Sequence, residues 1–425
     1  MGFARLTFLA VLFLIPAHAY SVLSHEALVD SAWDKQIKPL LLKRFPQSTP
    51  EDLQNSRAYA YGGCIIQDMG YYPFGNKFFS DLVHYVRPGD FVSELIRDSQ
   101  DLNEYAFALG AMAHYAADAS GHRIATNRAV AILYPKMRAK FGDEVTYEDF
   151  PAGHIQTEFA FDVLQVSQGL YAPDAFHSFI GFEVAKPLLE RAFLANYGIE
   201  MKDVFKNEDL AIGTYRHTVS GLIPKMTKVA LATREKQMEK ATPNFNRKKF
   251  AYRLTRREYE KDFGKGYYRP GIFDRIIAWM LEIVPKVGPF RALAFRPPTP
   301  EIDKLFLDSF RVAQTKYYAL LNDTAAGHVE LANVNLDTGL PTTPGKYQLA
   351  DRAYERLAQK LADGKEVPAK VLTDVAGYFH GFEPTLKSKD DHTEWQKTEE
   401  ALAKLNGGAS VRGRPTGSLS RAADR

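Results

Sequence analysis

Three residues that can each bind a metal ion recur at intervals of four in the segment AHYAADASGH. They are His114, Asp118 and His122. Residues four apart lie on the same face of an α-helix, so a helix that continues through His122 would align all three side chains in one stripe. Imidazole and carboxylate groups are ordinary zinc ligands. The spacing therefore predicts a site for two adjacent metal ions, with the Asp118 carboxylate bridging them.

Further metal-binding residue types occur on both sides of this segment. His154 and Glu158 are four apart in GHIQTE, while Asp68 lies in CIIQDMGYY, His84 in DLVHY and His25 near the start of the chain. Any one of these patterns alone is more typical of a surface pair, a helix cap or a buried structural histidine. However, five of the 11 histidines lie between residues 25 and 154 beside carboxylates, several of them in apolar runs. An unpaired polar group in such surroundings is costly, and a metal cluster removes that cost.

The segments that carry these residues have the apolar periodicity of helices. Residues 25–45 place apolar side chains at helical spacing, and Asp101 followed by Glu104 resembles a capping box that begins a helix through at least Ala119. Strand-like alternation is rare along the chain. We therefore predict an all-α fold. Further helices are predicted over residues 146–169, 176–195, 276–284, 301–322 and 348–363.

Composition and charge narrow the function classes. The chain has 425 residues, 45% of them apolar, and a formal net charge of +3. A strong nucleic-acid binder is usually more basic than this, so we expect no stable nucleic-acid complex. Cys64, the only cysteine, lies among apolar neighbours, and we predict a buried structural residue rather than a reactive thiol.

The first residues of the chain resemble a signal peptide. Arg5 precedes an apolar stretch from Leu6 to Pro16, and residues 17–19 fit the small-x-small pattern at which signal peptides are cleaved. A retained membrane anchor is the alternative, although the apolar stretch is short for crossing a bilayer. We expect a protein that is secreted or periplasmic after cleavage, with Tyr20 as its first residue.

The order of the metal-binding residues resembles the zinc-dependent phospholipase C superfamily. That superfamily also includes fungal single-strand nucleases and the catalytic domain of glycosylphosphatidylinositol-specific phospholipase D. The resemblance covers about residues 20–165. It rests on a mature N-terminal residue, an early His, an Asp and His pair, an HxxxD helix motif with a further His, and HxxxE. In this sequence the positions are Tyr20, His25, Asp68, His84, His114, Asp118, His122, His154 and Glu158.

The resemblance implies three zinc ions within a multi-helix bundle of the phospholipase C/nuclease type. One ion would be held by Asp68, His84, His114 and Asp118, and a second by His122, His154 and Glu158. A third would be held by His25, by Asp118 as a bridge, and by the free amine and carbonyl of Tyr20. The family usually has Trp at that terminus, but the ligand atoms belong to the backbone, which Tyr also provides.

Two features differ from the compact bacterial phospholipases and fungal nucleases. Those proteins have a longer spacing between the first and last His of the helix motif, with a proline between them. Here His114 and His122 are eight apart without a proline, which is similar to the phospholipase D branch. The second difference is a long additional C-terminal helical region.

The sequence predicts four successive regions. They are a signal peptide at 1–19, a catalytic domain at 20–235, a helical C-terminal region at 236–405 and a disordered tail at 406–425. Segment 246–269 is rich in Lys, Arg and Tyr. This composition indicates either contact with an anionic membrane surface or a solvated helix face.

The resemblance implies zinc-dependent hydrolysis of phosphodiester bonds in phospholipids. Asp68 would be the catalytic residue that orients or deprotonates the attacking water. Tyr71, Tyr72 and Phe74, in the adjacent segment GYYPFG, are candidates for substrate contacts. One alternative is a phosphodiesterase of the same fold that acts on single-stranded nucleic acid. The other is a non-enzymatic helical protein whose metal ions are structural. The expected partners are a phospholipid substrate and a membrane surface.

Overall fold

A computed structural model describes residues 22–168, 182–219, 295–364, 367–386 and 388–412. Within these residues every regular element is a helix, and the one strand-like feature is an isolated bridge between Val334 and Pro341. The predicted all-α fold is therefore confirmed. The helices are α1 (Val22–Ala32), α2 (Lys38–Arg44), α3 (Pro50–Gly63), α4 (Lys77–Tyr85), α5 (Pro88–Asp98), α6 (Leu102–Gly121), α7 (Asn127–Leu133), α8 (Pro135–Phe141), α9 (Pro151–Gln168), α10 (Lys186–Tyr197), α11 (Glu208–His217), α12 (Pro300–Ala325), α13 (Gln348–Asp363), α14 (Ala369–Tyr378) and α15 (Lys389–Arg412). Short π-helical segments span Trp33–Ile37 and His122–Thr126, and 3₁₀ segments span Ile66–Tyr71 and Met201–Asp203.

Capping residues explain where two of the central helices begin. Thr49 caps α3 with a full capping box, in which its side chain accepts from the Asp52 amide and the Asp52 carboxylate accepts from the Thr49 amide. Asp101 caps α6 by accepting a hydrogen bond of 2.9 Å from the Glu104 amide. The Glu104 carboxylate accepts from the Gln100 amide rather than from Asp101. The second hydrogen bond of the predicted capping box is therefore made with the residue before Asp101, Gln100.

Helix α6 is the centre of the bundle. All of its residues from Glu104 to Gly121 are buried, and many are alanine or glycine. A helix that is buried on every side must be surrounded by partners, and α1, α3, α5 and α12 pack against it. Gly63 and Gly110 allow α3 and α6 to approach closely. A Cβ atom on Gly63 would lie 2.0 Å from the Phe107 carbonyl oxygen, and one on Gly110 would lie 2.0 Å from the Ala60 carbonyl oxygen.

The helices after residue 295 share their core with the N-terminal helices. Phe306 and Tyr317 of α12 belong to the same buried apolar cluster as α6. The Tyr317 hydroxyl also donates to the Leu109 carbonyl of α6. The connection between α12 and α13 crosses the end of α4, where the Leu336 amide donates to the carbonyl of His84. The C-terminal region therefore packs directly on helices that carry predicted metal-binding residues.

Several helix boundaries differ from the sequence-based predictions. Helix α13 matches its predicted range of 348–363, and α12 extends the predicted 301–322 by one residue at its start and three at its end. Helix α9 begins at Pro151 rather than at residue 146, since proline is accepted in the first turn of a helix but not in its interior. Helix α10 begins at Lys186 for the same reason, with Pro187 in its first turn. Helix α15 continues to Arg412, beyond the predicted start of the tail at 406.

Some predictions concern residues outside the described ranges. These are the signal peptide at 1–19, Tyr20, the domain boundary at 235, the basic segment 246–269 and the helix predicted over 276–284. Among the described helices, none has both the length and the apolar character needed to cross a membrane. Cys64 is described and is fully buried, as predicted.

We expect Gly110→Ala to destabilise the fold, because the added methyl group would overlap the Ala60 carbonyl and force α3 away from α6. Overpacking of this kind typically lowers the free energy of unfolding by about 1–3 kcal/mol. Gly213→Ala in α11 is the matched control, since no atom lies within 4 Å of the added Cβ. This control should be neutral, or more stable by up to about 1 kcal/mol because alanine favours helix. Chemical denaturation measures both variants, and equal stability would contradict the close packing.

Candidate metal centre

The carboxylate of Asp118 lies at the centre of four imidazole rings. Its Oδ1 is 3.3 Å from Nε2 of His25 and 3.4 Å from Nε2 of His122. Its Oδ2 is 3.0 Å from Nε2 of His114 and 3.5 Å from Nε2 of His84. Each oxygen therefore faces a different pair of imidazoles. This is the arrangement expected of a carboxylate that bridges two metal ions.

Asp68, His84 and His114 form the first compact group beside Asp118. Nε2 of His84 is 3.4 Å from Oδ1 of Asp68 and 3.3 Å from Nε2 of His114. Asp68 comes from the 3₁₀ segment Ile66–Tyr71, His84 from the last turn of α4 and His114 from α6. In a tetrahedral zinc site with bonds of 2.0–2.2 Å, ligand atoms lie roughly 3.3–3.6 Å from one another. The separations in this group are close to that spacing.

His122, His154 and Glu158 form a second group on the other side of Asp118. Oε1 of Glu158 is 2.9 Å from Nδ1 of His154 and 3.7 Å from Nε2 of His122. His154 and Glu158 are one turn apart on α9, while His122 begins the π-helical segment that follows α6. The helix thus continues past His122 in a wider turn, a feature that is frequent at functional sites.

His25 forms a third group with His114 and Asp118. Its ring stacks on the ring of His114, with centroids 4.4 Å apart and 9° between the planes. His25 is in the first turn of α1, where the Leu23 amide donates a 3.1 Å hydrogen bond to Oδ1 of Asp162 on α9. This bond holds the beginning of α1 beside the cluster. Tyr20, the predicted backbone ligand, lies outside the described residues.

Apart from His25, each histidine of the cluster has one ring nitrogen that donates a hydrogen bond to an oxygen of the protein. His84 Nδ1 donates to the Ser80 carbonyl at 2.8 Å, His114 Nδ1 to the Cys64 carbonyl at 3.0 Å, His122 Nδ1 to Asp337 Oδ1 at 3.1 Å and His154 Nε2 to Asn127 Oδ1 at 2.8 Å. A neutral imidazole that carries its proton there directs a lone pair from its other nitrogen toward a carboxylate. That contact is repulsive unless a cation lies between the two groups. Fixing the proton on the outer nitrogen is also how proteins orient histidine ligands toward a metal.

The carboxylates show the same requirement for a cation. Both side-chain oxygens of Asp68, Asp118 and Glu158 are buried, and within the described part of the chain they accept no hydrogen bond of ordinary geometry. Burying a charge without a partner costs several kcal/mol. Three groups place their ligand atoms within 4.8 Å of one another: His25–His114–Asp118, Asp68–His84–His114 and His122–His154–Glu158. These residues therefore fit divalent metal ions, and the share of imidazole favours zinc.

The charges in the cluster determine how it exchanges protons for metal ions. Burial would raise the pKa of Asp118, but His114 and His122 outweigh burial and hold that pKa well below its usual range. Burial would lower the pKa of His84, but the adjacent carboxylates of Asp118 and Asp68 raise it to about 10. Without metal, His84 and His122, whose pKa values are both raised, therefore keep their added protons. Metal binding must displace them, so affinity for the metal falls as the pH falls.

The structure brings every predicted ligand except Tyr20 into this one cluster. Asp337 was not predicted from the sequence. It lies between α12 and α13, is 2% exposed and accepts a hydrogen bond from His122. Its segment NVNLDTGLP has no histidine and no helical spacing. The one local signal was a carboxylate among apolar residues, which occurs too often in sequences to identify a site.

The three aromatic candidates for substrate contacts have different surroundings. The ring of Tyr71 lies 6.0 Å from the ring of His84, beside the cluster. Tyr72 instead packs edge-on against Tyr215 at 5.3 Å in the core. Phe74 is 48% exposed and adopts a φ of 61°. Tyr71 is therefore the candidate whose ring is in contact with the ring of a predicted ligand.

Residues 24–207 match the family model described as zinc dependent phospholipase C. The family resemblance inferred from the sequence is thus confirmed over this part of the chain. The matched range contains every described ligand from His25 to Glu158 and ends well before Asp337. No curated protein and no solved structure matches the chain.

We expect zinc to copurify with the protein and Asp118→Asn to lose most of it, because the substitution removes the charge that faces four imidazoles. His328→Ala, at an exposed position outside the cluster, is the control and should keep the wild-type content. Elemental analysis after dialysis measures the bound metal. Retention should also weaken as the pH is lowered, since the imidazoles regain their protons. A wild-type content in Asp118→Asn would contradict the central position of this carboxylate.

A buried carboxyl beside the cluster should make stability depend on pH. Asp81 lies one turn before His84 on α4, and burial raises its pKa to about 6 despite the opposing charge of Lys77. Because this value exceeds the pKa of an unfolded Asp, folding favours the protonated form. Stability is therefore lost as the pH rises through about 4 to 6.

Asp81→Asn removes this penalty. We expect the variant to be more stable than the wild type at pH 8 by roughly 2–3 kcal/mol, and the difference to disappear below about pH 4. Urea denaturation of both proteins across this pH range measures the effect. A stability difference that does not change with pH would show that Asp81 has an ordinary pKa.

Proposed function

We propose that the protein is a zinc-dependent phosphodiesterase that hydrolyses phospholipids with phospholipase C specificity. The observation that carries the proposal is the junction at Asp118, where two oxygens of one buried carboxylate face two separate groups of ligands. The junction lies within the range that matches zinc dependent phospholipase C. Adjacent metal ions about 3.5–4 Å apart are typical of enzymes that cleave phosphate esters.

The cluster would hold three zinc ions. Asp68, His84, His114 and Asp118 would hold the first, and His122, His154 and Glu158 the second. His25 and Asp118 would hold the third, together with the amine and carbonyl of Tyr20. This last part requires export and cleavage after Ala19, because only cleavage creates a free amine at Tyr20. We therefore propose a secreted or periplasmic location.

Bound zinc would supply Lewis acidity and lower the pKa of water at the site. Asp68 would accept the proton of the attacking water; both its oxygens are buried, and one lies 3.4 Å from Nε2 of His84. Water adds its hydroxyl to phosphorus while the bond from phosphorus to the glycerol oxygen breaks. The leaving oxygen takes a proton, so the products are diacylglycerol and a phosphorylated headgroup. Because the three dications would exceed the negative charge of Asp68, Asp118, Glu158 and Asp337, the site would attract a phosphate anion.

The proposed partners are a phospholipid substrate and the surface of the membrane that contains it. The near-balanced net charge of +3 gives no reason to expect a stable nucleic-acid complex. A nuclease of the same fold would use almost the same ligands, so the two activities have to be separated by assay.

We expect the metal-loaded protein to release diacylglycerol and phosphocholine from phosphatidylcholine vesicles, and to lose this activity with a chelator. Asp68→Asn should lower the rate by about 10²–10⁴-fold, the usual contribution of a general base. Asp34→Asn, an exposed change of the same kind, is the control. Product analysis, with zinc content measured in parallel, checks both expectations.

The products and a second substrate distinguish the alternatives. Phosphatidic acid as the product would show that the other phosphate ester bond is cut. Cleavage of single-stranded DNA without lipid hydrolysis would establish the nuclease alternative. Stoichiometric zinc without either activity would leave a structural role for the metal ions and would contradict the proposal.

A further inference from the structure

We propose that Asp337, from the C-terminal region, is a positioning residue for the second metal group. Its Oδ1 accepts a 3.1 Å hydrogen bond from Nδ1 of His122 and lies 3.3 Å from Nε2 of His154. These are the nitrogens that face away from Glu158 and Asp118. Asp337 therefore fixes the protons of the two rings on their outer nitrogens and turns their inner nitrogens toward the metal.

The remaining oxygen of Asp337 is held by two further donors. Oδ2 accepts from the Tyr147 amide at 2.9 Å and from the Tyr347 hydroxyl at 2.8 Å. Asp337 is 2% exposed. Because donors on both sides of the carboxylate fix its plane, the His122 ring has one favoured orientation. Asp337 would therefore orient residues that bind the metal, without binding the metal itself.

Asn127 orients the ring of His154 in the same way, by accepting a hydrogen bond from it. Nε2 of His154 is closer to the Asn127 side-chain oxygen, at 2.8 Å, than to Asp337. The Asn127 side-chain nitrogen in turn donates to the backbone carbonyl of Asp337 at 2.9 Å. That bond determines which end of the amide faces His154. Asp337 thus orients one histidine through its carboxylate and the other mainly through Asn127.

The conformation of the loop that carries Asp337 brings this residue close to the end of α6. The side chain of Asn335 accepts from the amides of Asp337 and Thr338, which closes a tight turn. Gly339 has a φ of 65°, and a Cβ atom there would lie 2.4 Å from the Ala119 carbonyl at the end of α6. The absence of a side chain therefore allows the loop to lie directly on the helix that carries the ligands.

This geometry assigns a role to a region that lies outside the matched range of 24–207. The loop between α12 and α13 contacts α4 through Leu336, α6 through Gly339 and α9 through Asp337, so the second metal group would depend on the C-terminal region. Loss of an orienting partner typically lowers metal affinity by about 10–100-fold.

Zinc affinity, measured by competition with a chelator, tests the proposal without reference to any substrate. We expect Asp337→Asn to bind one class of zinc about 10–100-fold more weakly than the wild type, with the other ions unaffected. His122→Ala should weaken the same class, and the loss in the double variant should be smaller than the sum of the two single losses, because part of the effect of Asp337 acts through His122. Failure of lipid hydrolysis would contradict the proposed function but not this result.

Asp351→Asn is the matched control. Asp351 is also a buried carboxylate of the C-terminal region, and it accepts from the Tyr378 hydroxyl at 2.6 Å and the Gly345 amide at 2.9 Å, away from the cluster. It should keep wild-type zinc affinity. Wild-type affinity in Asp337→Asn, or an equal loss in Asp351→Asn, would overturn the proposal.

A spectroscopic test needs no variant and therefore does not depend on how Asp337→Asn folds. In the zinc-loaded wild type, nitrogen chemical shifts of the labelled imidazoles report which nitrogen carries the proton. We expect the proton on Nδ1 of His122 and on Nε2 of His154. The opposite tautomer at His122 would show that Asp337 does not orient this ring.

Discussion

A single buried carboxylate, that of Asp118, determines how the rest of the site is arranged. It faces imidazoles on both of its oxygens, and all of these groups are removed from water. Removing charged groups from water is expensive unless each charge is closely compensated. The surrounding helices must therefore supply positive charge within about 3–4 Å of each oxygen, whether as protons or as metal ions. The positions of α1, α4 and α9 relative to α6 follow from that requirement.

The packing around α6 makes this convergence possible. The helix is lined with alanine and glycine, so that α3 approaches until Gly63 and Gly110 lie against the backbone of the opposite helix. Close approach brings the Cys64 carbonyl within 3.0 Å of Nδ1 of His114. The same contact that packs two helices thus orients a ligand. Larger residues at these positions would move the acceptor away from the ring, and the site would lose its geometry along with the core.

The sequence revealed those parts of the site that repeat at helical spacing. His114, Asp118 and His122 are recognisable because a helix turns local intervals of four into one face. His25, Asp68 and His84 could be added only through the resemblance to a family, since nothing local joins them to α6. Asp337 was not found at all. It reaches His122 through the fold of a loop more than 200 residues further along the chain, and hydrogen bonds over such a separation leave no periodic pattern.

The location of these groups couples metal binding to folding of the whole chain. The described ligands extend from His25 to Glu158, and the orienting carboxylate is at Asp337, so an unfolded chain cannot present the set. The free energy of metal binding therefore contributes directly to the free energy of folding. The sequence has one cysteine and hence no internal disulfide, which leaves core packing and metal ions as the main sources of stability. Because α12 contributes both to the core around α6 and to the support of Asp337, the two sources reinforce each other. A C-terminal region that merely followed a complete catalytic domain would contribute neither to core packing nor to metal binding.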